Sequence, residues 1–326
     1  MAELAPGLPA LAQGSIVTVG TFDGVHRGHQ DVLARLVARA RERGLPSALV
    51  TFDPHPLEVV NPQAAPALLT AADEKLEVIA ESGIDYAIVV PFTVEFSHLS
   101  AEAFVTDVLQ SRYGMRELLI GHDHGFGRGR TGDTEVLRAL GARRGFRVDV
   151  VPPVGDPDGR AISSTAIRRA VAGGDLERAA YGLGRLYSVS GRVVEGAGRG
   201  RGLGYRTINI DLPSARKLLP PEGVYAVKGQ THLGTFGGMM NLGGRPTFGE
   251  RERALEVHLF DADGDWYGRT VRIDFVARLR DTQRFQSAAA LAEQLRRDET
   301  DARRALTDLS PGRTFPSSAG SFTPHQ

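Results

Sequence analysis

Cysteine is absent from this chain of 326 residues. Disulfides are therefore excluded, as is any metal site built on thiolates, so a bound ion would need oxygen or imidazole ligands. Net charge is absent too, because 39 basic residues balance 39 acidic ones. That balance removes the general electrostatic reason to expect a nucleic acid or a membrane surface as partner. No apolar run approaches the roughly 18 residues of a membrane span, and no basic stretch leads into a long apolar core at the N-terminus. A soluble, cytoplasmic protein is expected, monomeric or weakly self-associating. The last stretch, Ser310 to Gln326, is rich in Ser, Pro and Gly and has no apolar period, so a disordered tail is expected there.

The length exceeds the usual size of one core and suits two domains. From Ser15 to about Val151, short apolar runs alternate with amphipathic helical stretches. The runs are SIVTVG, SALVTF, YAIVVPF, ELLIG and RVDVVPP, and the pattern predicts an α/β domain with a doubly wound parallel sheet. Such sheets bind ligands at the carboxyl ends of their strands, where this chain carries TFDGVHRGH, TFDPHP, PFTVEF and GHDHGFG. One short helix is expected around STAIRRAVAGGDLERAAYGLG. Beyond Arg185 the pattern changes to closely spaced alternating runs with Gly-rich turns, which suggest a small antiparallel barrel or sandwich. A closing helix is expected from Ser287 to Leu309, with Leu291, Leu295 and alanines on its buried face.

In TFDGVHRGHQ a helix is expected to begin close to Gly28. His26, the Gly28 backbone and His29 would then stand at a helix N-terminus, where free N–H groups favour an anion such as phosphate. Gly24 and Gly28 would let the backbone approach it closely. Two imidazoles one turn apart can donate hydrogen bonds to phosphoryl oxygens as charge grows in a transition state. The plain alternative is a pair of surface histidines, and a zinc site lacks a third ligand nearby. Asp53 and His55 follow the second strand, and Asp123 follows the fourth. Ser163, Ser164 and Thr165 can cap a further helix, with Arg168 one turn on as either an anion contact or a surface ion-pair member. With GxFDGxHxGH, TFDPHP and SSTxIR in this order, residues 14–182 resemble the nucleotidyltransferase half of the bifunctional bacterial FAD synthetases.

The resemblance implies transfer of AMP from ATP to the phosphate of FMN, giving FAD and pyrophosphate. It places His26 and His29 on the ATP phosphates as catalytic residues, and Ser163, Ser164 and Arg168 at the nucleotide. Asp53, His55 and Asp123 would line the flavin and nucleotide pocket. His124 stands where the family pattern has Phe.

The second half carries SGRVVEGAGRGRGLGYRTINIDL. Its glycines, among them Gly198, Gly200 and Gly204, suggest a mobile loop whose backbone N–H groups could close over polyphosphate. Thr207 and Asn209 follow as alternate residues of an expected strand, both with oxygens suited to Mg²⁺. In ALEVHLF, alternation turns Leu255, Val257 and Leu259 one way and Glu256, His258 and Phe260 the other. Glu256 is then either an ordinary exposed strand residue or a group able to take a proton from an attacking hydroxyl. Together with GVYAV and MNLGGRPTF, these motifs make residues 185–309 similar to the riboflavin kinase module. The resemblance implies an antiparallel β-barrel, Thr207 and Asn209 as Mg²⁺ ligands, and Glu256 as base toward the ribityl 5′-hydroxyl of riboflavin. Asn241 and Arg245 would shape the pocket. The family's PTAN reads RTIN here, from Arg206 to Asn209. Two expectations therefore stand side by side: an enzyme making FMN from riboflavin and FAD from FMN, or an adenylyltransferase whose second domain only binds flavin.

Overall fold

The computed structural model describes residues 8–122, 132–195, 205–244 and 253–308. The chain divides into two compact units, Met1–Ser164 and Thr165–Gln326.

The first unit runs β1 (Ser15–Val19), α1 (Arg27–Arg43), β2 (Ser47–Asp53), α2 (Pro56–Val60), α3 (Ala72–Ala80), β3 (Tyr86–Pro91) and α4 (Val94–Ser97). It continues with α5 (Ala101–Ala103), α6 (Ser111–Tyr113), β4 (Met115–Gly121), α7 (Thr134–Arg144) and β5 (Arg147–Val151). The strands form a parallel sheet ordered β3-β2-β1-β4-β5. Central β1 is buried along its whole length, as a strand covered on both faces must be, whereas edge strand β5 alternates. On one face, Val32, Leu33 and Leu36 of α1 and Val78 and Ile79 of α3 pack with Ile16, Leu49 and Leu119. On the other, Phe104, Val105, Val108 and Leu109 pack with Val17, Val50 and Leu118. These last four helical residues lie in a π-helical stretch, Phe104–Gln110, between α5 and α6. Periodicity alone predicts an unbroken α-helix there. α1, α6 and α7 end on Gly44, Gly114 and Gly145 in the left-handed conformation. The chain leaves β1 for β2 on one side and returns to β4 on the other, so the carboxyl end of β1 is a switch point, the usual crevice for a ligand.

Near the boundary, the single helix expected around STAIRRAVAGGDLERAAYGLG is two: α8 (Ser164–Ala172) and α9 (Leu176–Leu183). Gly173 and Gly174 separate them, the latter with φ +79°, and the Asp175 carboxylate caps α9 by accepting from the Arg178 N–H at 3.0 Å. The strands that follow are β6 (Ser188–Val194), β7 (Ile208–Asp211), β8 (Gly223–Thr231), β9 (Gly234–Gly244), β10 (Arg253–Leu259) and β11 (Thr270–Arg280). They close into an antiparallel barrel, β10-β7-β6-β11-β8-β9, which decides between barrel and sandwich. Helix α10 (Ala288–Asp308) packs outside it, against Ala226, Met239 and Phe260. The fully buried residues of α10 are Asp298 and Ala302, with Leu295 beside them; Leu291 is not part of that cluster. The expected face is otherwise present, with Leu295, Ala302 and Ala305 in the cluster, and a carboxylate is buried beside it, held by both arms of Arg280 at 2.8 and 2.6 Å.

Candidate active sites

Helix α1 starts at Arg27 with His26 as its N-cap. The His26 Nδ1 accepts from the His29 N–H at 3.4 Å, which in a neutral ring leaves the proton on Nε2. The two imidazoles stack at 3.7 Å between centroids, and Phe22 backs His29 at 4.6 Å. A β-carbon on Gly28 would lie 3.2 Å from the His26 ring, so this glycine makes room for the histidine as well as for any ligand. The loop before the helix is strained: Phe22, Gly24 and Val25 have φ of 48°, 83° and 40°. Non-glycine residues hold such angles only where their surroundings over-determine them. Those surroundings are visible. The buried Asp23 carboxylate accepts from the Leu69 and Thr70 N–H groups at 3.0 and 2.9 Å, and the Gly24 N–H donates to the Thr70 hydroxyl at 3.0 Å. The Ser164 hydroxyl donates to the Asp23 carbonyl at 3.0 Å, and the Ile162 carbonyl lies close to Gly28. Ser164, the last residue of the first unit, is thus brought to the loop before α1. Ser163 precedes it and Arg168 lies one turn along α8.

At the end of β2, Asp53 is exposed, and the His55 Nδ1 caps α2 by accepting from the Leu57 N–H at 3.2 Å. Exposed Leu57 and Val60 of α2 and Val94 of α4, two helices in contact, add an apolar surface to this carboxyl-end rim. A residue that the motifs do not reveal lies beneath. Lys75 of α3 is buried, and its ammonium donates to the Phe52 carbonyl at 3.0 Å, the Thr51 hydroxyl at 3.2 Å and the Thr21 carbonyl at 3.5 Å. Burial lowers its pKa, against the opposing pull of Asp53 and Asp23. The available signal was a lysine on the same face of α3 as Val78 and Ile79. Asp123 lies outside the described residues, as do Gly198, Gly200, Gly204 and Arg245 of the second half and the tail expected at 310–326.

In the barrel, Glu256 of β10 is the direct partner of Asn209 on β7 and of Asn241 on β9. Directly paired residues share a face, so these three form one polar row across adjacent strands. Leu255 and Val257, on the opposite face, are buried in the barrel. The row therefore lies on the outer face. β7 begins at Ile208, so Thr207 immediately precedes the strand and is not one of its residues. The departures at RTIN are accommodated: Ile208 pairs with Val257 in register, and the Arg206 guanidinium meets Asp263 at 3.3 Å. The Arg206 carbonyl is 2.8 Å from His258 Nδ1. Tyr205 donates to Glu299 of α10 at 3.2 Å, and burial, then that carboxylate, pushes its pKa up. A cavity of about 810 Å³ opens beside this strand, with Ile208, Val257, Leu259 and Trp266 as apolar walls and Arg206 and Thr207 among its polar lining.

A parallel α/β unit with an imidazole pair at its switch point, followed by a closed barrel with a carboxylate–amide row, defines a nucleotidyltransferase joined to a flavokinase-like module. Residues 8–166 match the family model described as FAD synthetase, and residues 183–306 the one described as riboflavin kinase. The chain is 40% identical over 295 residues to the bifunctional riboflavin kinase/FMN adenylyltransferase of Escherichia coli (strain K12), covering 89% of this chain and 92% of that one. It is 40% identical over 292 residues to the protein so described from Pseudomonas fluorescens, covering 89% and 93%. The crystal structure of a macrolide-efflux protein from Streptococcus pneumoniae is similar at a TM-score of 0.81 and 31% identity, over 92% of this chain and 96% of that one. No helix among the described residues here is long and apolar enough to cross a membrane. The chain belongs to the bifunctional riboflavin kinase/FMN adenylyltransferase family.

Proposed function

We propose that the chain makes two successive transfers, phosphorylating riboflavin to FMN in the half at 185–309 and adenylating FMN to FAD in the half at 14–182. What carries the reading is the alignment of Asn209, Glu256 and Asn241 in one row on a barrel that is separate from the sheet bearing His26 and His29. Glu256 takes the proton of the ribityl 5′-hydroxyl as that oxygen attacks the γ-phosphorus of ATP, and ADP leaves. Mg²⁺, when bound, supplies positive charge at the phosphates. Thr207 and Asn209 fit it, offering a hydroxyl and an amide oxygen next to the carboxylate, with phosphates and water to complete a hard-cation shell. The cavity lined by Trp266 has the size of a nucleotide pocket.

In the first unit an FMN phosphate oxygen attacks the α-phosphorus of ATP, and pyrophosphate leaves. No covalent enzyme intermediate is needed, since positioning and charge stabilisation suffice. His26 donates from Nε2, while His29 and the α1 N-terminus face the developing charge. The apolar rim of Leu57, Val60 and Val94 suits an isoalloxazine ring. Family membership over both halves supports the two-step reading over adenylyl transfer alone.

The test is chromatography of products from riboflavin, ATP and Mg²⁺, with a parallel reaction started from FMN. FAD in both is expected. FAD from FMN alone would leave the barrel as a flavin-binding appendage, and FAD in neither would overturn the reading.

A further inference from the structure

Lys75 is costly where it stands. The buried face of α3 carries Glu74, Lys75, Val78 and Ile79, and an apolar side chain at 75 would cover the sheet without desolvating an ammonium. The ammonium is kept, and its three donors meet three acceptors: the Phe52 carbonyl, the Thr51 hydroxyl and the Thr21 carbonyl. Two of these sit at the end of β2, one and two residues before Asp53. The third opens the strained loop that leads to His26. Thr51 closes the triangle, because its hydroxyl also donates to the Thr21 carbonyl at 3.1 Å. The geometry points to Lys75 as a positioning residue for adenylyl transfer, whose buried ammonium ties the His26–His29 loop to the rim that carries Asp53 and His55.

The opposite side of the loop is already fixed, by Asp23 on Thr70. Lys75 acts at its entry, where Phe22 and Val25 hold φ of 48° and 40° that an unrestrained chain would leave. The loop is a short lever from Thr21 to the imidazoles, so relaxation at its root moves both rings. A displacement of about 1 Å in such a group costs on the order of a hundredfold in rate. Lys75 touches no substrate in this account, since its donors are committed to the protein. The inference rests on the adenylyl-transfer reading of this unit.

The experiment uses the full chain, with phosphorylation of riboflavin as its internal control. Lys75→Met should lower kcat for FAD formation by about a hundredfold and leave FMN formation from riboflavin unchanged. The ¹⁵N-imidazole signals of His26 and His29 should move, while methyl signals of Val17, Val50 and Leu118 in the sheet stay in place. Lys75→Arg should recover part of the rate. Thr51→Val keeps the ammonium and removes one acceptor, so a smaller fall is expected. The double variant Lys75→Met/Thr51→Val should be no slower than Lys75→Met, because the two residues act as one unit. Wild-type kcat or unmoved imidazole signals in Lys75→Met would overturn the assignment. Should Lys75→Met fail to fold, a wild-type rate in Thr51→Val would overturn it equally. Failure of the underlying reading looks different: the wild-type protein would make no FAD from FMN, and the imidazole signals would still test the role of Lys75 in holding the loop.

Discussion

A methyl group on Gly28 would lie 3.2 Å from both the Nδ1 and Cε1 positions of the His26 ring. The backbone angle of Gly28 is ordinary, so strain is not the objection to alanine there; the objection is that His26 must give way by a few tenths of an ångström. That shift disturbs the stacking on His29 and lengthens a cap on its N–H that is already 3.4 Å. Gly28→Ala should lower FAD formation from FMN by about tenfold with little change in stability, checked by steady-state kinetics beside thermal unfolding. Lys75 gives a second consequence, in pH. Its folded pKa lies below the ordinary 10.5, so just below that pH the unfolded chain binds more protons than the folded one. Stability must then rise with pH across that window. Burial raises the Tyr113 pKa above its ordinary 10.0, which works the other way: the unfolded chain ionises first, and stability falls as pH passes that value. Urea unfolding of the chain at a series of alkaline pH values should show the rise before the fall, and Lys75→Met should leave only the fall. The imidazole pair was legible in the sequence because cap, glycine and histidines fall within a few consecutive residues. Lys75 was not, because its partners lie 23, 24 and 54 positions away and only the closed sheet brings them to it.

Among the elements, α10 buries a charge beside its apolar face. Asp298 is 2% exposed, and Arg280, at the end of β11, binds both of its oxygens, while the Gln294 amide adds a bond at 2.9 Å. Removing the Arg280 guanidinium strands the Asp298 carboxylate in a buried site, at about 3–5 kcal/mol. Arg280→Ala should therefore lower the unfolding free energy of the barrel unit by roughly that amount, read as a fall in its melting temperature, and should lower FMN formation as α10 loosens. FAD formation from FMN should persist. The strands were legible almost to the residue, since each is a short apolar or alternating run bounded by turns. The π-helical stretch was not, because a widened turn leaves the same residues on the buried side as an α-helix does, with Phe104, Val105, Val108 and Leu109 all inward. Nor was the break between α8 and α9, where Gly173 and Gly174 read equally as flexible helix or as a stop.

At the scale of the whole molecule, the two units imply that the two transfers can be lost one at a time. Each proposed constellation is drawn from one unit: His26 and His29 from the sheet, and Thr207, Asn209 and Glu256 from the barrel. On the proposed assignment His29→Ala removes a donor aimed at developing charge, which costs on the order of a hundredfold to a thousandfold. It should depress FAD formation by that factor and leave FMN formation unaltered. Glu256→Gln removes the proposed base but keeps the side chain's shape, so FMN formation should fall by about a hundredfold or more while FAD formation from supplied FMN continues. Loss of both steps from either substitution, in protein that still unfolds cooperatively, would contradict separate sites. The chain's single tryptophan supplies a check on binding alone. Trp266 is nearly buried in the wall of the cavity beside Thr207, so Mg²⁺ and ATP should change its fluorescence. The change should titrate identically in wild type and in His29→Ala, because an ATP bound at the sheet lies in the other unit. A midpoint moved by His29→Ala would mean that the two nucleotide sites are coupled, and the kinetics of each step would then have to be measured with the other site filled.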